Sequence, residues 1–331
     1  MKVFVTGADG MLGTCVCIEL LKRHYEVVAF VLASNENSTI SKLSIDQKIG
    51  NVLDQSSIEK GMEGADYVIH IAASTLVWPR KNERVMAVNL TGTQLVANTA
   101  RKLGIKRMVH IGSASSFTNG HFGFPGNEDV LFVPQSDTMD YVTSKLLAHK
   151  WLLEENEKNG FPVVIICPTF MIGPYDALPS SGKMLQTFFN EKLPAYTAGG
   201  KNFVNTEDVA VAVVNALTMG EIGQSYIAGN ANLSFGEFLK KAARTVDKPF
   251  RLKQVPTWLT LSVGFMQSVI AYLTKRPPLL SYSMAKTSII QQVYSADKAV
   301  QVLQMPQQPI EVGIQKCYDW FKENNYLNNS K

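Results

Sequence analysis

Five short, almost wholly apolar runs at 2–6, 27–31, 67–71, 107–111 and 163–167 alternate with stretches of helical periodicity at 10–23, 55–62, 85–103 and 141–156. That alternation admits few folds. A strand that feeds a helix and then a second strand returns parallel to the first, with a right-handed crossover. Strands apolar on both sides are covered on both faces. The expectation is an α/β fold built on a doubly wound parallel sheet.

The rhythm stops after Pro168. Pro and Gly cluster at Pro174, Pro179, Gly182, Pro194, Gly199 and Gly200. Short strand candidates follow at 202–204 and 224–228, with a helix between them from about Thr206. The remainder is helical with proline interruptions and ends in Trp320 and Phe321. This divides the chain into a sheet domain, 1–168, to which 202–228 returns. A smaller, irregular, mainly helical substrate lobe comprises 169–201 and 229–331. No internal repeat is present.

Composition excludes several classes. The formal charge of +4 includes no basic run of the kind that tracks nucleic acid phosphates. Cys15 and Cys17 point to different faces of one helix, and with Cys167 and Cys317 they form no metal-ligand spacing. Buried free thiols in a reducing compartment are expected. The first strand starts almost at Met1, which points to the cytoplasm. Residues 258–273 carry no charge, but the run falls short of the roughly 20 residues that span a bilayer. It reads as a buried helix or a pocket lid, or more sharply as a helix resting on a membrane surface.

Directly after the first strand comes Thr6-Gly7-Ala8-Asp9-Gly10-Met11-Leu12-Gly13, and then a helix. Gly7 permits a tight turn, Gly10 a close approach of backbone to a pyrophosphate, and Gly13 close packing of helix on strand. The helix start offers free N–H groups and a positive dipole end to phosphates. Position between strand and helix makes this a Rossmann-type dinucleotide site.

The spacing resembles the TGxxGxxG pattern of the short-chain dehydrogenases/reductases. Further segments resemble the extended members of that family: 68–73 (VIHIAA), 88–93 (VNLTGT), 166–174 (ICPTFMIGP) and 203–210 (FVNTEDVA). The resemblance implies cofactor contacts at Thr6, Gly7, Asp9, Gly10, Met11, Leu12, Gly13, Leu32, Ser34, Asn51, Val52, Ile71, Ala72, Ala73, Asn89, Tyr141, Lys145, Pro168 and Thr169. No acidic residue closes the second strand to read a ribose 2′-hydroxyl, so NADP (as NADPH) is favoured over NAD, with Ser34 and Lys42 as candidate contacts. The family usually carries Asp where Asn51 stands; an Asn side chain still offers an acceptor oxygen.

Tyr141 and Lys145 stand at i and i+4, on one face of a helix. A free phenol, with a pKa near 10, is poorly tuned for proton transfer at neutral pH. A nearby ammonium and the charge of oxidised nicotinamide favour the phenolate. Ser113, just beyond the fourth strand, matches the family's hydroxyl that bonds the substrate oxygen; Ser115 is the competing position. His70 reads as structural; His121, in a Gly-rich loop, is a weak candidate for the substrate border and is not counted as a site residue.

Two branches of the family compete. Reductases act on ketones or aldehydes of bulky, apolar substrates; sugar-nucleotide epimerases and dehydratases retain their NAD. Lys201-Asn202 replaces the Arg-Asp pair common in the second branch, and Val142 replaces its Gly after the Tyr. The apolar lobe residues Trp258, Leu259, Leu261, Phe265, Met266 and Tyr272 suit the first. A non-catalytic NAD(P)-binding sensor or scaffold is the reading from another class; retention of both Tyr141 and Lys145 opposes it. The expected partners are a small-molecule substrate and, through the helices 85–103 and 141–156, a second copy of the chain. Peripheral membrane contact is a further expectation, and nucleic acid is not.

Overall fold

A computed structural model describes residues 1–32 and 38–328. The strands are β1 (Lys2–Thr6), β2 (Glu26–Val31), β3 (Asp46–Ile49), β4 (Tyr67–His70), β5 (Arg107–Ile111), β6 (Val163–Pro168), β7 (Phe170–Ile172), β8 (Gly200–Asn205), β9 (Ser225–Ala228), β10 (Ala231–Ser234) and β11 (Gln291–Gln292). The helices are α1 (Met11–Lys22), α2 (Gln55–Met62), α3 (Glu83–Met86), α4 (Gly92–Lys102), α5 (Asp140–Asn159), α6 (Lys183–Phe189), α7 (Thr206–Asn215), α8 (Phe235–Thr245), α9 (Thr257–Thr274), α10 (Tyr282–Ser288), α11 (Asp297–Leu303) and α12 (Ile310–Glu323). A π-helical turn, Ala87–Thr91, joins α3 to α4 into one continuous helical segment.

Seven parallel strands run in the order β3-β2-β1-β4-β5-β6-β9. This is the doubly wound arrangement, and its order reverses between β1 and β4, where a crevice opens at the strand carboxyl ends. One apolar layer joins α1 and α7 to one face of the sheet, around Val3, Val5, Ile69, Val164 and Tyr226. The other layer joins α2, α4 and α5 to the opposite face, around Phe4, Phe30, Val68, Met108 and Ile165. β1, β4, β5 and β6 are nearly or wholly buried because they lie between these layers.

β3 had no counterpart among the sequence expectations. Its residues Asp-Gln-Lys-Ile are all exposed, and it joins the sheet edge through backbone pairing to β2 alone. Of the stretch 202–228, α7 and β9 serve the large sheet, whereas β8 belongs to a second, small sheet with β7, β10 and β11. A third apolar cluster fills the lobe over that small sheet. There Phe203 stacks on Phe238 at 3.9 Å, near Phe321 of α12.

The uncharged run 258–273 is helical, as α9, but the expectation of a buried helix is corrected. Only Thr260, Gly264 and Ala271 are buried in α9. Its small residues face the protein, with Gly264 close against Ala285 of α10, and its large apolar ones face outward. Among the described residues, no helix is long and apolar enough to cross a membrane.

Candidate active site

The glycine turn sits at the carboxyl end of β1, at the point where strand order reverses. Gly7 has a φ of +65°, a conformation costly for any residue with a Cβ, and a Cβ there would lie 2.8 Å from the backbone of Ala72. At Gly13 a Cβ would come within 2.1 Å of the Gly7 carbonyl oxygen. The loop therefore folds tightly onto α1. No side chain caps α1 among the described residues, and its first turn holds no acidic residue. Its N–H groups and positive dipole end thus favour an anion. These features fit the pyrophosphate of a dinucleotide.

Around that loop, Ile71, Ala72 and Ala73 follow β4, and Pro168 and Thr169 lie at the end of β6. Leu32 is exposed at the end of β2, and Val52 is buried beneath Gly92. Asn51 is exposed, and its side-chain oxygen accepts from the Leu53 N–H at 3.0 Å, which fixes the turn before α2. Thr169 donates its hydroxyl proton to Asn202 at 2.8 Å. Ser34 lies outside the described residues. Lys42 is exposed on the segment before β3. Asp9 and Met11 are half-buried within the turn, and burial pushes the Asp9 carboxyl upward.

Thr6 serves the site from behind. Its hydroxyl is fully buried, 2.7 Å from His70 Nδ1, and accepts from the N–H groups of Ile71 and Ala72 at 3.2 Å. His70 Nε2 reaches the Thr93 hydroxyl, which donates to the Asn89 carbonyl oxygen. That pattern assigns the proton to Nε2 and makes Nδ1 an acceptor. Burial first, and then the Lys145 charge, hold the His70 pKa down to about 3. His70 is a neutral strut, as its position inside a strand suggested.

Tyr141 and Lys145 stand one turn apart near the start of α5, and Ser113 caps the short helical turn Ala114–Ser116 beyond β5. The structure brings the three together. Burial raises the Tyr141 phenol pKa, and the neighbouring Ser113 side chain pulls it the other way, more weakly. The Lys145 Nζ donates to the Ile111 carbonyl oxygen at 2.7 Å. Burial depresses the Lys145 pKa to about 8. The lowered phenol pKa expected from the ammonium and the oxidised nicotinamide together is therefore not a property of the protein side chains by themselves. It requires a further positive charge in the site.

Ser115 lies beside Ser113: its Oγ is 2.8 Å from Ser113 Oγ, and its N–H donates to Ser113 Oγ at 3.2 Å. His121 is exposed and lies in a tight turn against Phe124.

Other residues hold this arrangement in place. Asn89, buried in the π-helical turn, accepts from Ser74 N–H at 2.7 Å and donates to Ser74 O and Ser144 Oγ, both at 3.0 Å. It couples the loop after β4 to the helix of Tyr141 and Lys145. Asp140 accepts from Lys81 and from the Asn82 N–H, anchoring the start of the same helix. Sequence reading missed Ser144, Asp140 and the Ile111 carbonyl, since their partners lie far away in the chain. His110 is fully buried beside His70, and neither of its ring nitrogens has a partner among the described residues. No group of side chains suited to a metal ion occurs among the described residues.

Residues 3–229 match the NAD dependent epimerase/dehydratase family. The chain belongs to that family. It is an NAD(P)-dependent oxidoreductase of the extended short-chain dehydrogenase/reductase type. A Synechocystis sp. protein assigned by name as a dihydroflavonol 4-reductase is 29% identical over 329 residues, covering 98% of this chain and 95% of that protein. The sterol demethylase protein B of Methylococcus capsulatus is 26% identical over 286 residues, covering 85% of this chain and 86% of that protein. Among solved structures, that of gox2253 superposes with a TM-score of 0.87 at 23% identity, covering 99% of both chains. The Thermus thermophilus UDP-glucose 4-epimerase in complex with NAD does so with a TM-score of 0.75 at 20% identity, covering 97% of this chain and 99% of that one. At such identities these structural likenesses support the fold alone.

Proposed function

We propose that this oxidoreductase reduces a ketone or aldehyde on a bulky, largely apolar substrate, with NADPH preferred over NADH. The observation that carries the reading is the Ser113–Tyr141 pair beside buried Lys145, at the carboxyl end of β5. The nicotinamide supplies the hydride when bound. Ser113 and Tyr141 would bond the substrate oxygen, and Tyr141 would give its proton to the oxygen as negative charge develops there. Lys145 would hold the nicotinamide ribose, and its charge together with that of oxidised nicotinamide would ease proton loss from the phenol. Proton transfer runs in the opposite direction in oxidation.

Relatives named for a dihydroflavonol and a sterol support the substrate class. The absence of a carboxylate at Leu32, the end of β2, supports NADPH, with Ser34 and Lys42 as candidate contacts. One observation favours the sugar-nucleotide reading: Lys201 is a cation of the substrate lobe without a carboxylate partner among the described residues, pushed down by burial to about 8. It lies over Phe170 and donates to Gln292 at 2.5 Å. A single point charge already held in that way is a weaker diphosphate site than a bidentate Arg. A homodimer through α4 and α5 and a cytoplasmic location complete the reading.

The test is consumption of NADPH and NADH with a panel of apolar ketones and aldehydes and a panel of nucleotide-activated keto sugars. Turnover with the first panel is expected to fall about 10²–10⁴-fold in Tyr141→Phe, the usual worth of one general acid, with cofactor binding kept. No net consumption, together with NAD retained on the purified protein, would favour the epimerase reading instead.

A further inference from the structure

The α9–α10 hairpin is built inside out. Thr260, Gly264 and Ala271 face the protein, and Gly264 lets α10 approach closely enough that a Cβ would lie 2.6 Å from that of Ala285. Trp258, Phe265, Met266, Ile270, Tyr272 and Leu273 are turned to solvent, the last two more than 70% exposed. A contiguous apolar surface of this kind on a soluble fold marks a site of interaction.

Charge says what covers it. Residues 248 to 296 contain no Asp or Glu, but they hold Lys248, Arg251, Lys253, Lys275, Arg276 and Lys286. The whole chain has a net charge of only +4, so this segment carries the positive excess and the rest is net negative. Lys248 and Lys286 pair with Glu191 and Asp137. Arg251, Lys253, Lys275 and Arg276 have no ion pair among the described residues. They bracket α9, before Trp258 at one end and after Tyr272 at the other. Amphipathic aromatic rings at the ends of an apolar segment, with free cations just beyond, suit the boundary between acyl chains and anionic headgroups. A second copy of the chain on the same face would bring like charges together around a twofold axis.

We infer that α9 lies in the plane of an anionic lipid surface, with its large apolar side chains in the acyl boundary and its flanking cations on the headgroups. At 18 residues the helix would lie along about 27 Å of that surface. Lys286 of α10 bonds Asp137, in the loop just before the helix of Tyr141, at 2.6 Å. The helix against which α9 packs is thus tied to the loop that leads into the helix of Tyr141. That a lipid-dissolved substrate reaches Tyr141 from this side rests on the proposed function; the docking itself does not.

The experiment is co-sedimentation of the full chain with phosphatidylcholine vesicles, and with vesicles that also hold roughly a third phosphatidylglycerol. Binding to the anionic vesicles is expected to exceed that to the neutral ones about tenfold and to weaken in high salt. Phe265→Asp with Met266→Asp abolishes it, and Lys275→Glu with Arg276→Glu removes the anionic preference. All variants should keep the wild-type melting temperature. A wild-type chain left in the supernatant with both vesicle types overturns the inference. So does equal binding to both, or a dimer in sedimentation equilibrium that the two aspartates dissociate. Because co-sedimentation needs no turnover, its failure is separate from failure of the reductase reading.

Discussion

The Lys145 ammonium donates to the Ile111 carbonyl oxygen across 2.7 Å, tying the helix of Tyr141 to the strand end that leads into Ser113. That bond does not offset the cost of burial, and the Lys145 pKa sits near 8. Below pH 8, folded and unfolded chains both hold the proton, and the fold bears a buried cation. Between about 8 and 10.4 the unfolded chain binds more protons, so the Lys145 contribution to stability rises with pH. The whole effect is about 3 kcal/mol at most. Urea unfolding at pH 7.5 and 10 should show wild type gaining stability relative to Lys145→Met. Lys201, also depressed to about 8, titrates alike in both chains and cancels. A difference flat with pH would place the Lys145 pKa elsewhere.

Asn89 bridges Ser74 and Ser144 with three hydrogen bonds. In Asn89→Leu the Ser74 backbone groups lose their partners, at about 1–3 kcal/mol for each group left unsatisfied. We expect a lower melting temperature and a fall in kcat larger than any change in the substrate KM, since the helix of Tyr141 and Lys145 shifts. Asn89→Asp keeps the acceptor for Ser74 N–H and should recover part of the stability. Unchanged kcat in the leucine variant would make Asn89 purely structural.

Two glycines of the same loop should separate in a binding titration. A methyl at position 13 meets the Gly7 carbonyl at 2.1 Å and the Ala8 backbone at 2.8 Å, whereas one at position 10 meets only the Gly7 carbonyl, at 3.4 Å. Gly13→Ala is expected to destabilise the fold by about 1–3 kcal/mol, as overpacking does, and to weaken NADPH binding with it. Gly10→Ala should leave stability nearly unchanged and weaken NADPH binding at least tenfold, because its methyl stands where backbone would approach a pyrophosphate. Normal NADPH affinity in Gly10→Ala would move the pyrophosphate elsewhere.

Ser113 and Ser115 hydroxyls lie 2.8 Å apart, and Ser113 is the one that acts on the phenol pKa. Ser113→Ala should lower kcat about 10²-fold, the loss expected for one donor to a developing oxyanion. Ser115→Ala should stay within a few-fold of wild type. Steady-state kinetics of the two variants decide the matter, and the reverse order would exchange their roles.

β1, β4, β5 and β6 were legible because both faces of each strand are buried, which demands continuous apolar residues. The glycine turn was legible because its spacing is a backbone requirement, local to Gly7 and Gly13. β3 was not, since nothing in four exposed side chains announces a strand whose hydrogen bonds come from β2. The helix at 258–273 was visible as an uncharged run, but which of its sides faced the protein depended on α10.

By itself, then, the sequence determined the parallel sheet, the glycine turn before α1 and the placing of Tyr141 and Lys145 on one helix face, all features set by periodicity or short spacing. Only the tertiary structure decided that Ser113 comes beside the phenol, that Lys145 bonds the Ile111 carbonyl and that Asn89 braces the helix of Tyr141 and Lys145. It alone decided that α9 turns its large apolar side chains outward. Each of these depends on contacts between segments distant in the chain, where packing and desolvation choose among arrangements that local residue patterns leave equally open.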